Sequence, residues 1–232
     1  MSSILAEYRR IQDRIAAAAE RAERDPGTVS LVAVSKFHPA EAIAELARAG
    51  HMDFGENYVQ EARDKQEALR EHDIRWHFIG APQTNKAKYI VGRFHLLHSL
   101  ESTKLAAELD KRCSRDDVRQ PLLIQVNLGG EAQKAGVAPE GLRELARDVL
   151  ARSRLDLQGL MCMPPLSGDA ETNRALFARL REMARELEQE LGAPLPHLSM
   201  GMSHDFETAV EEGATLIRIG TSIFGERPPK QG

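Results

Sequence analysis

Lys36 stands directly after the apolar run Leu31-Val32-Ala33-Val34-Ser35 and just before a His38-Pro39 turn. An amine at the end of a buried strand, close to other cations, has a lowered pKa and can condense with a carbonyl, which is Schiff-base chemistry. By position alone a lysine after a strand is more often a solvated loop residue, so the other strand ends must support it. Phe54-Gly55-Glu56-Asn57-Tyr58 offers a glycine turn and an amide able to contact a ligand, or simply the start of the next helix. Ser199-Met200-Gly201-Met202-Ser203 and Arg218-Ile219-Gly220-Thr221 are more telling. Small residues let backbone N–H groups approach an anion and hydroxyls add donors, so Ser199, Gly201, Gly220 and Thr221 have the character of a phosphate grip. Arg218 alternates with Ile217 and Ile219; if the isoleucines face a helix layer, the guanidinium points inward and needs an acceptor, either a carboxylate of the protein or a ligand heteroatom.

Other chemistry-bearing residues argue for less. His77, His95 and His98 have no carboxylate or cysteine at a recognisable ligand spacing, so they read as satisfied core histidines and no metal is expected. Cys113 and Cys162 lie far apart and form no CxxC or Cys/His pattern, so neither a disulfide framework nor a zinc site is indicated and reduced cysteines are the plain reading. Asn85-Lys86-Ala87-Lys88 and Gln133-Lys134 could attract anions but read as solvated charges.

These residues need a frame to hold them. After an amphipathic opening (Ile4, Leu5, Tyr8, Ile11, Ile15) stopped by Asp25-Pro26-Gly27, short apolar runs alternate with helical patterns. The runs are Leu31 to Ser35, Met52 to Phe54, Trp76 to Ile79, Phe94 to His98, Leu122 to Val126, Leu157 to Met161, Leu198 to Met200 and Leu216 to Ile219. The clearest helix runs from Glu171 to Leu191, with Leu176, Leu180, Met183, Leu187 and Leu191 as its apolar stripe and Gly192 as its stop. Such alternation predicts parallel strands, and eight units predict an α/β fold closed into a (βα)8 TIM barrel. An open doubly wound sheet is the alternative, without the GxGxxG turn after its first strand. One domain over 1–232 is expected, with an N-terminal helix over 1–24 helping to cover the barrel and a frayed tail over 226–232.

At 232 residues and 42% apolar content the chain can bury one substantial core. Its formal charge of −4 gives no basic surface for nucleic acid or anionic lipid. No apolar stretch approaches a membrane span, and the N-terminus lacks the h-region of a signal peptide, so a cytoplasmic protein is expected.

Taken together the blocks resemble the pyridoxal phosphate homeostasis protein family, whose barrel is similar to the N-terminal domain of alanine racemase. The resemblance covers nearly the whole chain. It is carried by Val32-Ala33-Val34-Ser35-Lys36, Phe54 to Glu61, Trp76-His77-Phe78-Ile79-Gly80, Gln83 with Asn85-Lys86, Gly159-Leu160-Met161, Ser199 to Ser203, and Arg218 to Thr221 with Ile223-Phe224-Gly225. It implies a fold-type III barrel with an extra N-terminal helix and no C-terminal β-domain. It further implies that pyridoxal 5′-phosphate (PLP) is held as a Schiff base on Lys36, with Asn57 against the ring, Ser199, Gly220 and Thr221 on the phosphate, and Arg218 at the pyridine nitrogen. The chain departs from the family at Ala81-Pro82, where an apolar residue such as leucine usually precedes the glutamine.

The implied function is a non-catalytic, monomeric carrier that sequesters PLP or delivers it to apo PLP-dependent enzymes. An amino-acid racemase is the first alternative. It requires a base on the second face of the substrate carbanion, which in alanine racemase is a tyrosine from another domain and subunit. The tyrosines of this chain are Tyr8, Tyr58 and Tyr89, and none has a claim to that place. A sugar-phosphate lyase with a Schiff-base lysine is the second alternative; it would lack the visible absorbance of bound PLP.

Overall fold

The eight apolar runs do form strands, and they are joined in parallel because nearly every return crossing is made by a helix packed outside the sheet. The computed structural model describes residues 3–129, 135–165 and 169–226. In chain order the elements are α1 (Ser3–Arg21), β1 (Ser30–Val34), α2 (Ala40–Arg48), β2 (Asp53–Glu56), α3 (Val59–Ala68) and β3 (Arg75–Phe78), followed by a 3-10 turn (Thr84–Tyr89) and β4 (Leu96–Leu100). Then come α4 (Thr103–Asp116), β5 (Gln120–Gln125), α5 (Leu142–Leu150), β6 (Leu155–Met161), α6 (Ala170–Leu191), β7 (His197–Ser199), α7 (Phe206–Glu211), β8 (Leu216–Ile219) and α8 (Thr221–Phe224). The strands pair in sequence order and β8 returns to β1, closing the barrel.

Strand alternation divides the apolar residues between two regions. Outward-facing side chains such as Ala33, Phe54, Ile217 and Ile219 join the helices in the main core. Inward-facing Val32, Leu96, Leu123, Met161 and Leu216 fill the barrel. Each such aliphatic side chain contributes about 1.5–3 kcal/mol when fully buried. Arg218, two residues beyond Leu216, shares the inward face and is 4% exposed.

The helix after the last strand, α8, spans only four residues, and α1 takes its place. Tyr8, Ile11, Ile15, Ala18 and Ala19 bury one face of α1, which packs on α2, α7 and α8. The helix expected over 1–24 ends at Arg21: Glu23 adopts a left-handed conformation, φ 54°, and Arg24 turns back to donate to the carbonyls of Val210 and Ala214. Of the tail read as 226–232, residues 227–232 lie outside the described residues, as do Gln133 and Lys134.

Other boundaries moved for identifiable reasons. The fourth strand starts at Leu96 rather than Phe94, whose ring packs edge-on to Phe78 in the outer core. The link from β3 to β4 is a 3-10 turn and not an α-helix. Gly55 and Glu56 continue β2 instead of forming a turn or opening the next helix, which begins at Val59. The long helix ends at Gly192 as expected, in a left-handed cap with φ 63°.

Candidate functional site

A cavity of about 470 Å³ opens where the strands end. Val34 and Lys36 reach it from β1, Asn57 from β2, Ile79 from β3, and Gln125, Val126 and Asn127 from β5. Met163 and Pro164 follow β6, Met202, Ser203 and His204 follow β7, and Arg218, Gly220 and Thr221 come from the end of β8. Lys36, Asn57, Arg218, Gly220 and Thr221 are therefore brought together from three strands. The working end of the barrel is the one at which the strands terminate.

Lys36 is half-buried and its backbone is clamped on both sides. Lys65 Nζ, on α3, donates to the carbonyl of Ser35 at 2.7 Å, while the N–H of Phe37 donates to the Glu61 carboxylate. Lys65 also bridges Glu56 and Glu61, each at 2.7 Å, and the Ser35 hydroxyl donates to Glu56 at 2.7 Å. Phe37 takes a left-handed φ of 67° to make this turn. Burial raises the Glu56 pKa, against the opposing pull of Lys65 and Ser35. Sequence reasoning found Lys36 but gave no role to Glu56, Glu61 or Lys65; Lys65 has the look of a solvated helix lysine.

Two polar side chains of the cavity, Asn57 and Arg218, are open to a ligand, and a close-packed glycine lines it beside them. Asn57 Oδ1 is buried without a hydrogen-bond partner among the described residues. Gly220 packs so closely on β1 that an added Cβ would lie 3.0 Å from the Val34 carbonyl oxygen. Arg218 donates to Ser199 Oγ at 2.6 Å and to the Cys162 carbonyl at 3.0 Å, with no carboxylate partner among the described residues. Burial pushes the Arg218 pKa down, yet a guanidinium keeps its proton in proteins. The guanidinium, fixed on one side, retains N–H groups for another acceptor.

Ser199 is placed differently from the sequence expectation. It is fully buried and does not line the cavity; its hydroxyl lies between Arg218 and His98 Nδ1, the latter at 2.8 Å. Ser203, four residues on, is the serine that reaches the cavity. Asp205, itself 2% exposed, holds the loop that carries it, accepting from the N–H of Met202 at 2.7 Å and from Asn173 Nδ2 at 2.8 Å.

Below Ser199 a polar chain runs through the barrel. His98 Nε2 lies 2.8 Å from His77 Nδ1, and His77 Nε2 lies 3.0 Å from Asp53 Oδ1. Arg75 Nε donates to the same carboxylate at 2.8 Å. His77 and His98 are thus satisfied interior histidines, as expected, whereas His95 is exposed and meets His77 only edge-on. Burial alone would raise the Asp53 pKa, but hydrogen bonds from His77 and Arg75 more than reverse this and hold it at about 2. A carboxylate with a depressed folded-state pKa adds stability above its unfolded value, and that stability is lost as pH falls through the folded value. Asp53→Asn is therefore expected to lower the urea midpoint at neutral pH, with the deficit narrowing once pH drops below about 4. A constant deficit between pH 7 and pH 3 would contradict this.

The family model for the N-terminal domain of alanine racemase matches residues 7–228. The pyridoxal phosphate homeostasis protein of Aquifex aeolicus is 49% identical over 94% of this chain and 96% of its own length. That of Pseudomonas aeruginosa is 45% identical over 98% of this chain and 97% of its own. Among solved structures, PipY of Synechococcus elongatus with PLP bound has a TM-score of 0.82 at 41% identity, covering 93% of this chain and all 100% of that one. An alanine racemase of Clostridium difficile superposes with a TM-score of 0.73 at 13% identity, covering 96% of this chain but 57% of the racemase, which is a likeness of fold.

Proposed function

The chain belongs to the pyridoxal phosphate homeostasis protein family, and from that premise we propose that its cavity holds PLP, attached to Lys36, for sequestration and for delivery to apo PLP-dependent enzymes. The observation that carries this reading is the convergence of Lys36, Asn57, Arg218, Gly220 and Thr221 on one cavity. The residues fit the cofactor. An amine, a buried amide oxygen without a partner, an inward guanidinium with hydrogens to give, and a close-packed glycine beside a threonine suit an aldehyde, an aromatic ring, a ring nitrogen and a phosphate in turn.

When bound, PLP supplies an aldehyde that condenses reversibly with amines. Lys36 is the covalent anchor, and the Lys65 and Glu61 contacts to its neighbouring peptides hold its backbone. Asn57 lies against the ring. Gly220 and Thr221, with Ser203 in place of the buried Ser199, hold the phosphate through N–H and hydroxyl donors. Arg218 donates to the ring nitrogen; being already a cation, it disfavours a proton there and so weakens electron withdrawal by the ring. Such a site retains the cofactor better than it drives carbanion chemistry.

A non-catalytic role is the reading we favour over racemisation. Tyr8 is buried against His51, Tyr58 is 51% exposed beside Phe37, and Tyr89 stands among Arg63, Lys86 and Lys88; none lines the cavity. His204 does line it, with Nε2 3.4 Å from Asp205. We expect no appreciable exchange of the alanine α-hydrogen with deuterium on the purified protein. Fast exchange lost in His204→Ala would establish an enzyme instead. A monomer working in the cytoplasm completes the proposal; no helix among the described residues is long and apolar enough to cross a membrane.

The test is an absorbance spectrum before and after borohydride reduction, with mass-spectrometric mapping of any pyridoxyl label. A yellow protein labelled on Lys36 is the expected result, and a colourless one that added PLP cannot reconstitute would remove the reading. Arg218→Ala is expected to lose PLP on dialysis about tenfold faster, the equivalent of one hydrogen bond to a charged group. Unchanged retention would free Arg218 from its assigned role.

A further inference from the structure

The PLP reading uses Arg218 but not the chain of buried groups behind it. Val32, Leu96, Leu123, Met161 and Leu216 pack in the same barrel interior, and aliphatic side chains at positions 77 and 98 would join them without the burden of satisfying ring nitrogens. We propose that Ser199, His98 and His77 are positioning residues for Arg218, forming a one-way hydrogen-bond chain anchored on Asp53 that fixes the guanidinium in the floor of the cavity. The proposal rests on the PLP reading above.

The direction of the chain follows from its two ends. Arg218 Nη1 has only hydrogens to give, so Ser199 Oγ accepts from it at 2.6 Å. At the other end Asp53 is ionised beside Arg75 and only accepts, so His77 Nε2 carries the hydrogen in the 3.0 Å contact. Among the described residues the Ser199 hydroxyl hydrogen has only His98 Nδ1 to meet, so His98 carries its own hydrogen on Nε2 and gives it to His77 Nδ1 at 2.8 Å. That leaves His98 Nδ1 bare, and it takes the Ser199 hydroxyl hydrogen at 2.8 Å. Every link has one hydrogen and one lone pair. With Ser199, His98 and His77 between 0% and 2% exposed, water cannot repair a mismatched link. In the reversed chain His77 would carry the further proton and His98 Nδ1 would donate to Ser199 Oγ, which already accepts from Arg218, so the Ser199 hydroxyl hydrogen would have no acceptor among the described residues.

The consequence falls on Arg218. The Ser199 hydrogen is drawn toward His98, so its lone pair faces the guanidinium. That contact and the Cys162 carbonyl together hold Nη1 and Nη2. A planar group held at two nitrogens has its remaining N–H directions set before any ligand arrives, which is how supporting residues orient a binding group.

Two measurements test this. Nitrogen-15 NMR of the imidazoles in the full chain, without added PLP, is expected to show His77 and His98 as neutral Nε2–H tautomers at pH 7. An imidazolium or an Nδ1–H tautomer at either position overturns the chain as drawn. The second compares Ser199→Ala and Ser199→Thr after reconstitution with PLP. Ser199→Ala is expected to move the visible absorption maximum and to release PLP about tenfold faster, and Ser199→Thr, which restores the hydroxyl, to bring both back toward the parent. A folded Ser199→Ala protein with an unchanged spectrum and release rate overturns the positioning role. If Ser199→Ala does not fold, Ser199→Cys, of similar size and weaker hydrogen bonding, is read in the same way. The NMR result needs no cofactor, so a chain that fails to bind PLP refutes the functional reading while the direction of the chain is judged separately.

Discussion

Lys36→Ala is expected to yield no borohydride-trapped pyridoxyl label and to release PLP at least about a hundredfold faster, a loss of roughly 2.7 kcal/mol in retention. Binding is not expected to vanish, because Gly220, Thr221, Ser203 and Arg218 reach the cavity from β7 and β8, independently of β1. Fold stability should change little: Lys36 is half-buried on a loop, and the contacts that hold its segment run through the Ser35 carbonyl, the Phe37 N–H and the Ser35 hydroxyl. The measurement is a borohydride trap with peptide mapping, alongside the PLP off-rate on dialysis. A label of normal yield on another residue would show that the covalent anchor lies elsewhere.

Lys65→Met is expected to destabilise the protein by about 3–5 kcal/mol, the usual cost of removing one partner from a buried ion pair. The side chain of Lys65 is 8% exposed and that of Glu56 is 0% exposed, so the variant strands Glu56 facing Glu61 with no cation between them. At about 2–4 °C per kcal/mol for a chain of this size, the melting temperature should fall by roughly 10 °C. Burial already raises the Glu56 pKa; without Lys65 the carboxyl gains a further reason to bind a proton. A group whose folded-state pKa is raised binds its proton more readily when folded, so the variant's deficit should shrink as pH falls toward that pKa. Glu56→Gln in the same background is expected to recover part of the loss by removing the stranded charge. The Ser35 carbonyl also loses its donor, so PLP retention should weaken. A melting temperature unchanged within a degree or two would mean that water reaches Glu56.

Much of this arrangement was legible along the chain, and the reason is locality. The placing of Lys36, Gly220 and Thr221 at the strand ends that line the cavity follows from short apolar runs that end in polar or glycine residues, since each strand and its outgoing loop are contiguous in sequence. The inward aim of Arg218 follows from its alternation with Ile217 and Ile219, a property of any strand. Closure of the barrel follows from repeated β and α periods. The family resemblance rests on the same contiguous blocks.

What the chain order could not decide is which distant polar groups meet. Glu56 and Lys65 are nine residues apart, a spacing that matches neither a helix face nor a strand face, and only the seating of α3 on β2 turns an apparently solvated lysine into a buried clamp. His98 and Ser199 are 101 residues apart and touch because β4 and β7 face each other across the barrel. That same closure takes Ser199 out of the cavity and brings Ser203 into it, since one strand end is buried in the barrel while the loop four residues later lies open. Local pattern determined which residues stand at strand ends and which way they alternate. Barrel closure alone determined which of them are buried together, because a contact across the barrel depends on the tilt and register of all eight strands.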